Sequence, residues 1–152
     1  PFNLVLPDDE AAPNYVPQDG DQRQIVERQI RERRGQQGFR NALRKRYGDR
    51  CLVTGCSILA VLEAAHIKPY RGENDNAATN GLLLRADIHT LFDLNLIGIH
   101  PDQLRVELHP QIAVAYSEFS GRPLACDRDA RPSREALRLR YEQFQRRLRE
   151  SN

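Results

Sequence analysis

Glu63-Ala-Ala-His66-Ile-Lys-Pro69 and Asn80-Gly-Leu-Leu-Leu-Arg-Ala-Asp-Ile-His89-Thr-Leu-Phe-Asp93 are the two stretches from which the fold is read. Pro69 stops the first, because a proline pushes the residue before it out of the helical region. The apolar run that leads into His66, from Ile58 to Ala65, fits either a helical turn or a strand. The favoured reading is a brief turn followed by a strand from about Leu62 to Ile67. Residues 70–79, YRGENDNAAT, are polar and rich in turn formers, and predict a loop. In the second stretch Leu83, Ala86 or Asp87, and Leu91 fall on related faces, which predicts a helix from about Asn80 to Leu94. The expected unit is a histidine at a strand end, a polar loop, an asparagine opening a helix, and a second histidine within that helix.

Outward from this unit, the pattern on the N-terminal side predicts a helix begun by Asp21 as N-cap, with Ile25, Val26 and Ile30 on one side. Gly35 and Gly38 interrupt it, and a second helix carries Phe39, Leu43 and Tyr47 at i, i+4, i+8 until Gly48-Asp49. Cys51–Thr54 is a short strand candidate closed by a turn at Gly55. On the C-terminal side, Leu96–Ile99 and Leu104–Leu108 flank Pro101-Asp102 as a hairpin. Residues 133–149 predict a last helix with Leu137, Tyr141, Phe144 and Leu148 along one stripe. Leu82, Leu83, Leu84, Leu91 and Phe92 are read as core. The class is α+β: a hairpin plus helix, flanked by N-terminal and C-terminal helices.

A chain of 152 residues, 39% hydrophobic and 29% charged, has the balance of one globular domain with a modest core. Residues 1–20 hold four of the nine prolines, four acids and no base, and read as an arm or linker before a domain over 21–152. Pro1 in place of Met suggests a piece of a longer protein. No apolar run reaches the roughly 18 residues of a membrane helix, and no signal peptide opens the chain, so the cytoplasm is the expected location and no membrane the expected partner. Three cysteines, Cys51, Cys56 and Cys126, are too few and too uneven for a disulfide framework. They read as small buried residues, with a zinc-stabilised interaction domain as the rival.

The net charge of +2 hides a segregation. Residues 21–50 carry ten Lys/Arg against four Asp/Glu, and residues 132–152 carry six Arg against three Glu. Arginine pairs with phosphate through a planar fork, so a polyanion partner is suited; solvated Glu–Arg pairs on a helix face would give the same counts.

His89 and Asp93 are four apart, so on a helix both point to one spot and form half a coordination shell, open to water and phosphate. A hairpin packed on that helix would bring His66 to the same spot, where an imidazole can take a proton from an attacking water. Asn80, donor and acceptor at once, can hold the loop that positions His66. His100 and His109 sit beside prolines without an acidic partner at ligand spacing, and read as packed or hydrogen-bonded.

The HIxP turn, the asparagine 14 residues after His66 and the histidine 9 further on resemble the HNH (ββα-metal) endonuclease motif, over about Cys51 to Ile99. The words TGC, EAAHIKPY and NGLLLRADIHTLFD resemble a subgroup of restriction-like and anti-phage nucleases. The resemblance implies His66 as general base, Asn80 as brace of its loop, His89 as metal ligand and Asp93 as a second ligand one helical turn on. It implies hydrolysis of DNA with one divalent ion, Mg²⁺ or Mn²⁺, although such a site also accepts Zn²⁺, Co²⁺ or Ni²⁺. Many members carry a metal ligand just before the catalytic histidine; Ala65 stands there, and Glu63 or Asp87 are candidate substitutes. Ala65 also keeps alive the alternative of a catalytically silent nucleic-acid-binding module. Arg23, Arg28, Arg31, Arg40, Arg44, Lys45 and Arg46, with Arg71 and Arg138 behind them, are the expected phosphate contacts. Nothing resembles a base-reading module, so a further targeting domain or subunit is expected, and a homodimer is compatible.

Overall fold

The computed structural model describes residues 14–17, 23–69 and 71–151. Helices α1 (Arg23–Arg34) and α2 (Gln37–Tyr47) precede strand β1 (Leu62–His66), strand β2 (Gly81–Arg85) and helix α3 (Ala86–Asp93). Strands β3 (Ile97–Ile99) and β4 (Val106–Leu108) and helix α4 (Arg134–Glu150) complete the chain. β1 pairs with β2 and β3 with β4, giving two separate antiparallel ladders in an α+β arrangement. The predicted arm falls mostly outside the described residues, as does Asp21; within it, residues 14–17 are irregular and exposed.

The centre of the fold is the β1–β2 hairpin. Glu63 lies opposite Leu84, Ala64 opposite Leu83, Ala65 opposite Leu82 and His66 opposite Gly81. Leu82, Leu83 and Leu84 are all fully buried, because α2 covers one face of the ladder and α3 approaches the other. This corrects the expected helix from Asn80 to Leu94: its first part is the return strand, and α3 begins only at Ala86. A strand buried on both faces reads as a continuous apolar run, which periodicity does not separate from a buried helix. Gly81 confirms the strand by proximity, since a Cβ there would sit 2.5 Å from the Phe39 ring and 2.6 Å from Leu43.

The predicted turn and strand before Pro69 are present, as a turn at Leu59–Val61 and then β1. The loop after β1 holds two short turns, Glu73–Asn76 and Ala78–Asn80, with Tyr70 outside the described residues. Cys51–Thr54 is a turn rather than a strand, closed by Gly55 N–H donating to Cys51 O at 2.9 Å. Leu52 nevertheless joins the hairpin, donating to Leu83 O at 3.0 Å and accepting from Ala125 N–H at 2.9 Å. The hairpin around Pro101-Asp102 forms as expected.

Phe39, Leu43 and Tyr47 of α2 are buried against β2, as their spacing requires. Burying each such side chain is worth about 1.5–3 kcal/mol. α1 behaves differently: Ile25 and Val26 are 52% and 48% exposed, so its expected apolar side is not covered among the described residues. α4 starts at an N-cap, Ser133 Oγ accepting from Ala136 N–H at 3.2 Å, with Glu135 in its first turn and Arg147 and Arg149 in its last. Leu137 and Phe144 are the buried part of its stripe. His109 is buried between Ser151 Oγ at 2.8 Å and Gln111 N–H at 3.0 Å, and His100 accepts from the Asp102 and Gln103 amides, so both have the structural roles their settings predict. No described helix is long and apolar enough to cross a membrane.

α4 lies against β3 at Gly98, where any Cβ would run into the Phe144 ring. Gly98→Ala is therefore expected to destabilise the domain by about 1–3 kcal/mol, the usual range for overpacking a filled core. Urea unfolding would measure this; an unchanged midpoint would mean that α4 moves away without cost.

Candidate active site

Strand alternation divides the chemistry of β1 between two faces. Glu63, 5% exposed, points to α3, where its Oε1 lies 2.9 Å from His89 Nδ1. One turn further along α3, Asp93 Oδ2 lies 3.1 Å from His89 Nε2. Asp93 in turn accepts from Arg140 of α4 at 3.1 Å, and the same guanidinium nitrogen donates to Phe92 O at 3.1 Å. The Arg140 guanidinium rests on the Phe92 ring, 4.6 Å from its centroid.

These charges reinforce one another. Burial opposes the charge on His89, but hydrogen bonds and charge from Asp93 and Glu63 together outweigh it and hold the imidazole above its usual pKa. Burial likewise opposes the Asp93 carboxylate, and His89 and Arg140 together overcome it and keep that carboxyl below its usual range. Desolvation lowers the Arg140 pKa against the pull of Asp93.

The donor set fits a divalent cation. Glu63 holds the Nδ1 proton of His89 and Asp93 faces Nε2; a cation that displaces the Nε2 proton would meet that nitrogen and the Asp93 carboxylate together, the pattern of a carboxylate–histidine–metal relay. A separation of 3.1 Å between the two donor atoms is one that a single ion about 2.1 Å from each can span. Glu63 and Asp93 bind opposite nitrogens of the ring, so the three groups do not converge. No cluster of three or more His, Cys, Asp or Glu that could hold a metal occurs among the described residues. The arrangement therefore offers two protein ligands, His89 and Asp93, with Glu63 orienting the first rather than replacing the ligand missing at Ala65. Asp87 does not fill that place either. Its carboxylate is held by Arg85 at 2.7 and 3.0 Å and by Tyr116 Oη at 2.9 Å, which keeps it below the usual carboxylate range against burial.

His66 occupies the other face. Its ring stacks on Phe39, centroids 4.1 Å apart and planes 9° from parallel, and its Nε2 lies 2.9 Å from Asn76 Oδ1. Asn76 donates through Nδ2 to Gln36 Oε1 at 3.0 Å, which assigns its oxygen to the histidine. In the tautomer with its proton on Nε2, the ring donates to Asn76 Oδ1. Asn80 is 8% exposed, and it stands before β2 rather than at a helix start. Its Oδ1 accepts from Lys68 N–H at 2.9 Å, and its Nδ2 donates to Lys68 O at 3.0 Å and Asp75 O at 2.8 Å. One amide thus ties both ends of the loop that carries Asn76. The expectation that His66 and the His89–Asp93 pair share one spot is not met by direct contact: they lie against opposite faces of β1, with Ala64 and Ala65 between His66 and the Glu63 that meets His89.

Sequence reasoning missed Asn76, Phe39 as a stacking partner, and Arg140. Asn76 lies in a loop without periodicity, and Arg140 lies 47 residues from the carboxylate it meets, so spacing carried no signal for either. Of the expected phosphate contacts, most are already engaged. Arg28 pairs with Glu32, Arg44 with Asp49, and Arg138 with Glu135 and Glu142. Arg46 donates to Arg131 O, and the buried Arg40 donates to Leu59 O and Leu62 O. Arg31 and Lys45 lie on α1 and α2, Arg71 on the loop, and Arg23 at the start of α1.

Residues 51–100 match the family model described as HNH endonuclease. The chain is also similar in fold to a solved structure described as a modification-dependent TagI restriction endonuclease, with TM-score 0.50 and 22% identity over 66% of this chain and 35% of that one. It thus spans about a third of the length of that protein. The search of curated proteins returned no match.

Two positioning roles can be tested here. Glu63→Ala is expected to weaken Mn²⁺ binding about 10- to 100-fold by calorimetric titration, with Glu63→Gln recovering part of the loss because an amide oxygen still accepts from Nδ1–H. Asn76→Ala is expected to lower kcat about 10-fold or more and leave KM near its original value, since it frees the His66 ring without removing it. An unchanged kcat would show that the Asn76 bond does not orient the His66 ring for any catalytic step.

Proposed function

We propose that this chain is the metal-dependent DNA endonuclease module of a restriction or anti-phage defence protein, cutting phosphodiester bonds with His66 as general base. The observation that carries this reading is the Glu63–His89–Asp93 relay beside an asparagine-braced histidine, inside the segment that matches the HNH endonuclease family. A divalent ion, Mg²⁺ or Mn²⁺, held by His89 and Asp93 would supply positive charge to the phosphate and the departing 3′-oxygen. The chain's own groups do the rest. His66 accepts a proton from water, whose oxygen bonds to phosphorus as the bond to the 3′-oxygen breaks; the departing oxygen takes a proton from solvent, leaving a 5′-phosphate and a 3′-hydroxyl. Asn76 and Phe39 hold the imidazole ring in orientation during this transfer, and Asn80 keeps the loop that carries Asn76 in place. Glu63 fixes the tautomer of His89, and Arg140 holds Asp93.

The similarity in fold to a modification-dependent restriction enzyme supports a role in restriction, and the absence of a recognisable base-reading motif supports targeting by a further domain or subunit. The test is supercoiled plasmid incubated with Mg²⁺, Mn²⁺, Zn²⁺ or EDTA, beside His66→Ala. Nicking or linearisation that requires metal and falls about 10²-fold or more in the variant is the expected result. No cleavage under any metal, with DNA still retarded on a gel, would instead favour a silent binding module. His89→Ala is expected to lose metal affinity as well as activity, a loss that calorimetry reads independently of cleavage.

A further inference from the structure

The turn after β1 and helix α4 enclose a cavity of about 310 Å³, lined by Lys68, Pro69, Arg71, Leu139, Arg140 and Arg146 among others. One end adjoins the sequence that follows His66; at the other, Arg140 reaches Asp93. Four of its lining residues are basic and one, Glu142, is acidic, and Glu142 is held by Arg138 at 2.7 Å. The side chains of Lys68, Arg71 and Arg146 have no hydrogen-bond or ion-pair partner among the described residues. Arg140 is 11% exposed, and its buried Nε has no partner either. On α1 and α2, Arg28, Arg40, Arg44 and Arg46 each donate at least one bond within the protein, whereas Arg31 and Lys45 have no side-chain partner among the described residues.

A mobile cation can meet a phosphate at little cost only if it does not abandon an existing partner. A groove in which three unpaired cations, Lys68, Arg71 and Arg146, stand with Arg140 between the loop after His66 and the Asp93 end of the relay therefore suits one chemistry, a line of phosphates. We infer that the groove between Lys68–Arg71 and α4 is the track of the DNA backbone, with Lys68, Arg71 and Arg146 as phosphate contacts and Arg140 joining the track to the relay. This inference rests on the nuclease reading above. It moves the principal contact surface away from the α1–α2 face on which basic residues are most numerous.

The experiment is fluorescence anisotropy of the full chain with a labelled duplex in EDTA, which suspends hydrolysis, at salt concentrations from about 50 to 200 mM. Lys68→Ala/Arg146→Ala, both exposed positions, is expected to weaken binding roughly tenfold and to reduce the salt slope by about 2, near 0.9 for each lost contact. Arg28→Ala/Arg44→Ala is expected to change the slope by much less. A slope unchanged by the first pair, or lowered as much by the second, would overturn the track, as would absence of binding by the unaltered chain. Thermal melts confirm that each variant is folded; should Lys68→Ala/Arg146→Ala fail that check, Arg71→Ala is read instead, with a slope reduction near 0.9 expected and no reduction counting against the track. Plasmid cleavage separates the two proposals. Cleavage that persists with unchanged binding in the first pair removes the track alone, whereas groove-dependent binding without any metal-dependent cleavage removes the nuclease reading and leaves the track.

Discussion

A carboxylate taken out of water is tolerated only where a donor meets it, and Glu63 on β1 is met by His89 on α3. The uncompensated alternative costs several kcal/mol, so this bond fixes how the helix sits on the hairpin. Everything chemical follows from that placement. His89, its Nδ1 held, turns Nε2 to Asp93; Asp93 draws in Arg140; and Arg140 carries the connection into α4. The same face of β1 that holds Glu63 cannot hold His66, which alternation sends to Phe39 and α2. One strand thus separates His66 from the His89–Asp93 pair while holding both.

Much of this was legible in the sequence, and the failures have specific causes. The strand ending at His66, the loop, the later hairpin and the last helix were readable because each had a clear period or a proline or glycine boundary. The strand Gly81–Arg85 was hidden because burial on both faces removes alternation, leaving three consecutive leucines that serve a helix equally well. Gly81 was the available clue, since a glycine inside a strand marks a close neighbour, here Phe39 and Leu43. Asn80 was placed at the wrong kind of element; its bonds to Lys68 and Asp75 depend on donor and acceptor capacity rather than on helix position. Asn76 and Arg140 depend on long-range approach and had no local signature.

The arginines show the same distinction between composition and structure. Counting basic residues points to α1 and α2, but a guanidinium already bound to a carboxylate or a backbone carbonyl has little to offer an outside anion. What distinguishes the groove beside α4 is that three cations without internal partners, Lys68, Arg71 and Arg146, line one cavity together. Net charge by segment is therefore a weaker guide to a polyanion surface than the internal partners of each cation.

α3 is only eight residues long, and its final carbonyls are not left to solvent. Arg140 donates to Phe92 O and Arg147 to Leu94 O, while Phe144 fills the space above Gly98. The family segment ends at residue 100, yet the side chains that finish its short helix come from more than 30 residues beyond it. The transplantable unit of this domain is accordingly longer than its motif: a graft cut at the motif boundary would carry His89 and Asp93 without the scaffold that holds their helix closed, and a folded chimera would need to extend through Glu150.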